Sequence, residues 1–289
     1  PGRISLTPML TYRGKLYGDL TVACLDENEF MVFGSGAAQE MHRRWFESHL
    51  EKFNLQYKNR SDEFHGLGIA GPKSRELLQK VVRESVSNDS FKFRDSRKMF
   101  VAGVPAIINR ISFTGELGYE IYVAPHFQLK LYEELTKAGK EFNIKPFGGR
   151  ALMSMRLEKN WGAWTLDYRP DFTAKETGLD VFINWNKDFI GKDCAQKDES
   201  KNKLVPLIVE TNDIDVTFNE AVLKGDKSIG YITSGGFAHF VNKSVAFSYL
   251  DKNELKSEKG IQVEINGDFF NCSIIKEPLY DPTGQKMRS

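Results

Sequence analysis

Ile4-Ser5-Leu6-Thr7-Pro8-Met9-Leu10 and, across the turn Tyr12-Arg13-Gly14-Lys15, Leu16-Tyr17-Gly18-Asp19-Leu20-Thr21-Val22-Ala23-Cys24 read as two strands. Asp26-Glu27-Asn28 turns the chain again before Phe30-Met31-Val32-Phe33, so residues 3–33 read as a β-meander. Leu16, Leu20 and Val22 share one parity of the second strand, which leaves Asp19 on the other with Tyr17 and Thr21. Aspartate is depleted inside strands. Asp19 is therefore either part of a solvated outer face or a carboxylate lining a pocket.

Further along, Ala38, Met41, Trp45, His49 and Phe53 recur at helical spacing. Gly66-Leu67-Gly68-Ile69-Ala70-Gly71-Pro72 reads as a strand and turn, and Pro72 opens a helix carrying Leu77, Leu78 and Val81. Ala106 to Ser112 and Tyr119 to Val123 look like paired strands around Thr114-Gly115-Glu116-Leu117-Gly118. Pro125 opens one helix and Gly149 another. Gln196 to Lys203 is a polar, charge-rich linker without apolar content and marks the best domain boundary. Beyond it come short strands (Val205–Val209, Ile229–Ile232, Val245–Tyr249) and a hairpin at Asn266-Gly267, the pattern of a small β-barrel or sandwich.

At 289 residues the chain exceeds the size at which one core stops growing, so several domains are expected. A hydrophobic fraction of 40% and a charged fraction of 27% suit a soluble globular protein. A net charge of +1 supplies no field for nucleic acid or an anionic membrane, and no apolar run is long enough to span a bilayer. The three cysteines have neither metal nor redox spacing, which points to a reducing compartment, the cytoplasm or a mitochondrial matrix. Pro1 enters a strand pattern at once, as at a cut N-terminus.

Few positions suggest chemistry by themselves. Gly34-Ser35-Gly36 follows a strand, but Gln39 stands where a dinucleotide loop needs its last glycine, so it reads as a strand-to-helix turn. His42 and His49 share a helix face without a third ligand, so no metal site is expected. Glu120, at the start of a strand, has the same two readings as Asp19. Arg150 and Arg156 sit on one helix about 120° apart. Spacing and composition stop at a multidomain α+β protein.

Six local patterns, in order, resemble the glycine-cleavage T-protein (aminomethyltransferase) family. They are Leu6-Thr7-Pro8-Met9-Leu10 with Gly14-Lys15-Leu16-Tyr17-Gly18-Asp19-Leu20; Ala70-Gly71-Pro72-Lys73-Ser74; and Phe113-Thr114-Gly115-Glu116-Leu117-Gly118-Tyr119-Glu120. Then follow Gly149-Arg150-Ala151 with Arg156-Leu157-Glu158, Phe189-Ile190-Gly191-Lys192-Asp193, and Ile232-Thr233-Ser234-Gly235-Gly236-Phe237. Gly18-Asp19 in place of Asp-Asp, and Trp161-Gly162-Ala163-Trp164 with Tyr168-Arg169-Pro170, resemble the folate half of dimethylglycine and sarcosine dehydrogenases.

The resemblance implies a folate-binding α+β domain over residues 1–60 and 146–200, a second α+β domain over 61–145, and a small β-barrel over 201–289. It implies that the module normally begins before Pro1, with a flavin domain upstream in the dehydrogenase branch. The implied activity is tetrahydrofolate-dependent one-carbon transfer from an iminium or aminomethyl donor, giving 5,10-methylenetetrahydrofolate in dimethylglycine or sarcosine breakdown. FAD is implied only where a flavin domain accompanies the chain. Alternatives are a glycine-cleavage T-protein served by a lipoyl carrier protein, a folate-dependent demethylase, or a non-catalytic folate-binding module. Asp19 stands at the essential aspartate, Glu120 at the pterin-binding glutamate and Arg150 at an arginine of the folate site. Phe113, Tyr119 and Trp161 are aromatics on which the pterin could stack. Leu6 and Phe113 replace tyrosines, and Ser35 falls near an asparagine position.

Overall fold

The N-terminal meander is an antiparallel three-stranded sheet of β1 (Arg3–Leu10), β2 (Leu16–Asp26) and β3 (Glu29–Phe33). It is seen in a computed structural model that describes residues 1–211 and 213–289. β1 and β2 pair with Pro8 opposite Asp19 and Leu6 opposite Thr21. Paired residues share a face, so the register brings Leu6 and Asp19 to one side. Helix α1 (Gln39–Leu50) packs under this sheet; it ends before Phe53, which is exposed. His42 on α1 is buried, with Nε2 2.8 Å from the Tyr17 carbonyl.

A second sheet contains β4 (His65–Ala70), β5 (Ser96–Val101), β6 (Val104–Asn109) and β7 (Gly118–Val123) in the order β4-β7-β6-β5. Helices α2 (Ser74–Val81) and α3 (Gln128–Gly139) cover one face of it. Leu77, Leu78, Leu131 and Leu135 form a core there with Ile69, Ile108, Tyr119 and Ile121. The strand reading of residues 106–112 is shifted: β6 runs from Val104 to Asn109, after a turn at Ala102 (φ 49°) and Gly103 (φ 77°). An alanine in the left-handed region is a weak turn signal, which hid both this hairpin and its first strand, β5. The helix expected at Pro125 starts as a 3₁₀ turn over Pro125–Phe127 before α3.

Helix α4 (Gly149–Glu158) follows, then the short helices α5 (Ala174–Thr177) and α6 (Lys192–Gln196). Thr173 and Glu176 cap α5 reciprocally. The motif Phe189–Asp193 is explained by close packing: a Cβ on Gly191 would lie 2.1 Å from the Thr11 carbonyl oxygen. The polar stretch 196–203 is short and held at its middle. Asp198 accepts from Thr173 Oγ1 at 2.5 Å and Ser200 Oγ at 3.0 Å, and a strand already begins at Asn202.

The C-terminal part is a closed barrel. Its strands are β8 (Asn202–Val209), β9 (Ala221–Lys224), β10 (Lys227–Ala238), β11 (Lys243–Asp251), β12 (Ile261–Ile265) and β13 (Asp268–Ile274). They close in the order β10-β11-β8-β13-β12-β9 around Leu207, Val222, Ile232, Leu250 and Val263. Asn266 (φ 53°) and Gly267 (φ 92°) turn the expected hairpin. After the barrel, α7 (Gln285–Arg288) returns to the other two sheets. The architecture is α+β with a small C-terminal barrel, as expected.

Candidate functional site

A large cavity of 1890 Å³ opens where the three-stranded sheet, the four-stranded sheet and the 161–190 region meet. β1 and β2 form one wall, and β4 and β7 form another. Asp19 and Glu120, separated by 100 residues, both line it.

Asp19 is thus on the pocket side of its strand, and the solvated-face reading is corrected. Burial lifts its carboxyl from 3.8 to about 6, against a hydrogen bond from its own backbone amide that lowers it. Glu120 is raised by burial, and the Tyr122 hydroxyl, 2.6 Å from Oε2, pulls it back down. Tyr122 is itself raised, by burial first and by the charge of Glu120 second. No cation is among the causes of either carboxylate's shift. Two half-buried carboxylates with no counter-ion among the described residues are unfavourable in a ligand-free fold and mark a site.

Strand alternation sorts the neighbours. Tyr119, Ile121 and Val123 of β7 point into the core, whereas Glu120 and Tyr122 face the cavity. On β4, Gly66 pairs with Tyr122, Gly68 with Glu120 and Ala70 with Gly118. This face of β4 carries no side chain larger than a methyl group, which leaves room in front of Glu120. A Cβ placed on Gly68 would meet nothing within 4 Å.

Among the other positions singled out from the sequence, Leu6, Phe113 and Trp161 line the cavity. Tyr119 reaches the cavity wall too, but its ring is buried and packs 5.8 Å from Phe91. Arg150 is solvent-exposed and is not on the cavity wall. The buried arginine of α4 is Arg156, a third of a turn away. Ser35 also lies off the wall, ahead of a 3₁₀ turn. His42 and His49 have separate partners, Tyr17 and Tyr12.

Three contributors escaped the sequence reading. Tyr122 was legible as the residue two beyond Glu120 on one strand face. Tyr168 was not: its ring is buried at the cavity wall, with its hydroxyl accepting from the Gly162 amide at 3.1 Å. Burial raises its phenol, and the charges of Asp167 and Asp19 add to the shift. The third is a set of exposed cations lining the cavity, Lys73, Arg94, Lys145, Lys187 and Arg288, which face one acid at the rim, Asp188. Among the described residues no group of three or more His, Cys, Asp or Glu could hold a metal ion, and no helix is long and apolar enough to cross a membrane.

Residues 1–187 match the family model described as GCVT N-terminal domain, and residues 202–281 match that of the glycine cleavage T-protein C-terminal barrel domain. Human mitochondrial dimethylglycine dehydrogenase is 36% identical over 297 residues, covering 99% of the chain and 34% of that protein. The chain therefore spans about a third of the length of that relative. An aminomethyltransferase from Thermoanaerobacter pseudethanolicus is 29% identical over 289 residues, with 98% of the chain and 78% of the relative covered. The crystal structure of glycine cleavage system aminomethyltransferase T from Bartonella henselae superposes with a TM-score of 0.85 at 22% identity, over 97% of this chain and 77% of that one. That likeness concerns the fold.

Proposed function

Because the chain belongs to the glycine-cleavage T-protein family, we propose that its cavity binds tetrahydrofolate and carries out one-carbon transfer. The reading extends to an iminium or aminomethyl donor and 5,10-methylenetetrahydrofolate as product, in the breakdown of dimethylglycine or sarcosine. The observation that carries it is the pair Asp19 and Glu120, two half-buried carboxylates on one cavity, without counter-ions among the described residues.

The residues suit such a ligand. A pterin ring offers an amino group and a ring N–H side by side, and a carboxylate accepts from both. Glu120 is the acceptor, with room before it over Gly68. Phe113 and Trp161 supply aromatic surface, while Tyr119 stiffens β7 from the core side. Leu6 adds apolar wall beside Thr21. An anionic tail would meet the rim cations rather than Arg150 or Ser35, which have no place in this arrangement.

Tetrahydrofolate, when bound, supplies the nitrogen nucleophile that takes the carbon unit. Asp19 holds a negative charge in a poorly solvated place, so it stabilises a cationic donor strongly. With its carboxyl near 6, it is mostly ionised at neutral pH and still basic enough to accept a proton at its oxygen.

Oxidation of the amine would fall to a flavin domain, upstream or separate, which is the partner in this reading and the place for FAD. The test is Asp19→Asn. Tetrahydrofolate binding should persist while transfer falls by roughly 10²–10³. Undiminished transfer would remove Asp19 from the chemistry.

A second reading is supported by the aminomethyltransferase that matches over 78% of its own length. There the donor is an aminomethyl group on a lipoyl carrier protein. Turnover with that carrier, but not with a flavin-generated iminium, would select it. A non-catalytic folate binder would have no use for a second uncompensated carboxylate at Asp19.

A further inference from the structure

Glu120 and Tyr122 stand two residues apart on β7, both on the cavity wall. From the geometry we infer that Tyr122 is a positioning residue: its hydroxyl holds one oxygen of Glu120, so that the carboxylate is presented in a fixed orientation to the ligand space beside Gly68. This deepens the proposed function and rests on Glu120 as the ligand-binding carboxylate.

The phenol is held from two sides. The Phe33 ring lies 4.5 Å from the Tyr122 ring, at 37°. On β4 the residue opposite Tyr122 is Gly66, where a Cβ would come within 3.0 Å of Tyr122 Cε1. A side chain there would press on the ring, so the glycine lets the phenol lie across β4. From this seat the hydroxyl donates to Glu120 Oε2 at 2.6 Å. Among the described residues no protein group donates to Oε1, and Gly68, the β4 partner of Glu120, has open space where a side chain would stand.

The surroundings make this one hydrogen bond decisive. On β6 the partner of Glu120 is Asn109, which is neutral, and on β4 it is Gly68. The titratable groups elsewhere on the same cavity wall include Asp19 on β2, Lys73 ahead of α2, and Arg94 ahead of β5. None of them is among the causes of the Glu120 shift, which are burial, raising it, and Tyr122, lowering it. The phenol alone therefore favours the ionised, acceptor form of a carboxylate that burial favours as the acid. It also fixes which way that carboxylate points, so the two ligand donors meet an oriented pair of acceptor oxygens, Oε2 keeping a lone pair beside the Tyr122 hydroxyl, rather than a freely rotating one.

The experiment is Tyr122→Phe, which keeps the ring and its packing. In the ligand-free protein, a carbon-13 titration of the glutamate side-chain carboxyls, with the Glu120 signal assigned by its loss in Glu120→Gln, should show its midpoint raised by about one pH unit, as expected for losing a hydrogen bond to a charged group. An unmoved midpoint would overturn the inference. Tetrahydrofolate affinity at pH 7.5 should weaken about tenfold in the variant. Wild-type affinity in the variant would also overturn it. Failure of the wild-type protein to bind tetrahydrofolate would remove the functional reading instead, and the titration would still decide whether Tyr122 governs Glu120.

Discussion

Arg156 Nη1 lies 2.6 Å from Asp167 Oδ2, with side chains 1% and 0% exposed. Asp167 Oδ1 accepts from the hydroxyls of Thr233 and Ser234 at 2.5 and 2.7 Å, and Oδ2 accepts from the Ala163 amide at 2.9 Å. The same guanidinium donates to the Trp161 carbonyl at 3.0 Å. One buried ion pair thus joins α4, the 161–168 segment of the cavity wall and β10 of the barrel. Arg156→Met should strand Asp167 as an unpaired buried charge and lower stability by about 3–5 kcal/mol. Urea unfolding at neutral pH measures this; a loss below about 1 kcal/mol would contradict the keystone role.

Asp19 gives a pH-dependent prediction. Its native value of about 6 lies above the ordinary 3.8, so the native state holds the proton more tightly than the unfolded chain. The cost of burying the charge is absent below about pH 4, grows through the window from 4 to 6, and is complete above it. A gap of about 2 pH units corresponds to roughly 3 kcal/mol. Asp19→Asn should match wild-type stability near pH 4 and exceed it by roughly 2–3 kcal/mol at pH 7.5, while losing transfer activity. Equal stability at both pH values would show that Asp19 is better solvated than its position implies.

The acid side of the activity profile follows from the same group. Transfer should rise as Asp19 ionises, with a midpoint near 6. Single-turnover rates at saturating folate between pH 5 and 8 test this. A flat profile across that range would assign proton acceptance to another group.

Gly68 tests the slot before Glu120. A Cβ there meets nothing within 4 Å, so Gly68→Val should fold normally while its methyl groups fill the space facing the carboxylate. Tetrahydrofolate affinity should fall at least about tenfold, the loss expected when a well-placed hydrogen bond is blocked, with the melting temperature within a few degrees of wild type. Unchanged affinity would place the ligand elsewhere in the cavity.

Gly162 has the opposite character. A Cβ there would lie 2.3 Å from Tyr168 Cζ, and Tyr168 is walled in by Trp164, Leu10 and Leu16. Gly162→Ala should therefore cost about 1–3 kcal/mol by overpacking and displace the phenol from the cavity wall. Calorimetry gives the first quantity; a melting temperature equal to wild type would mean the ring has room to retreat.

The sequence reading succeeded where periodicity and turn chemistry agreed. The meander through β3, the Asn266-Gly267 hairpin and the inward stripe of α2 were all legible because each used a common turn or an unbroken apolar pattern. β5 was missed because its hairpin turns on Ala102 in the left-handed region. At the site, parity narrowed Asp19 to two faces, but only the pairing of sheets in space decided which was covered. Helical phase separated Arg150 from Arg156 without showing which was inside. Tyr168 carried no local signal, since its burial depends on the missing side chain at Gly162, six residues away, and on strands at the chain's start.

The walls of the cavity are drawn from Ile4 at one extreme of the chain to Arg288 at the other. No contiguous segment contains the pocket, so it comes into being only after the most distant loop closures of folding, which are the slow ones. Partly folded forms then have nothing to offer a ligand. Whatever fills the cavity binds the finished native state alone, and at a concentration of 100 Kd it would add about 2.7 kcal/mol to the folding free energy by mass action. In a cell the supply of ligand would thus help set how much of the protein survives, as well as how fast it works.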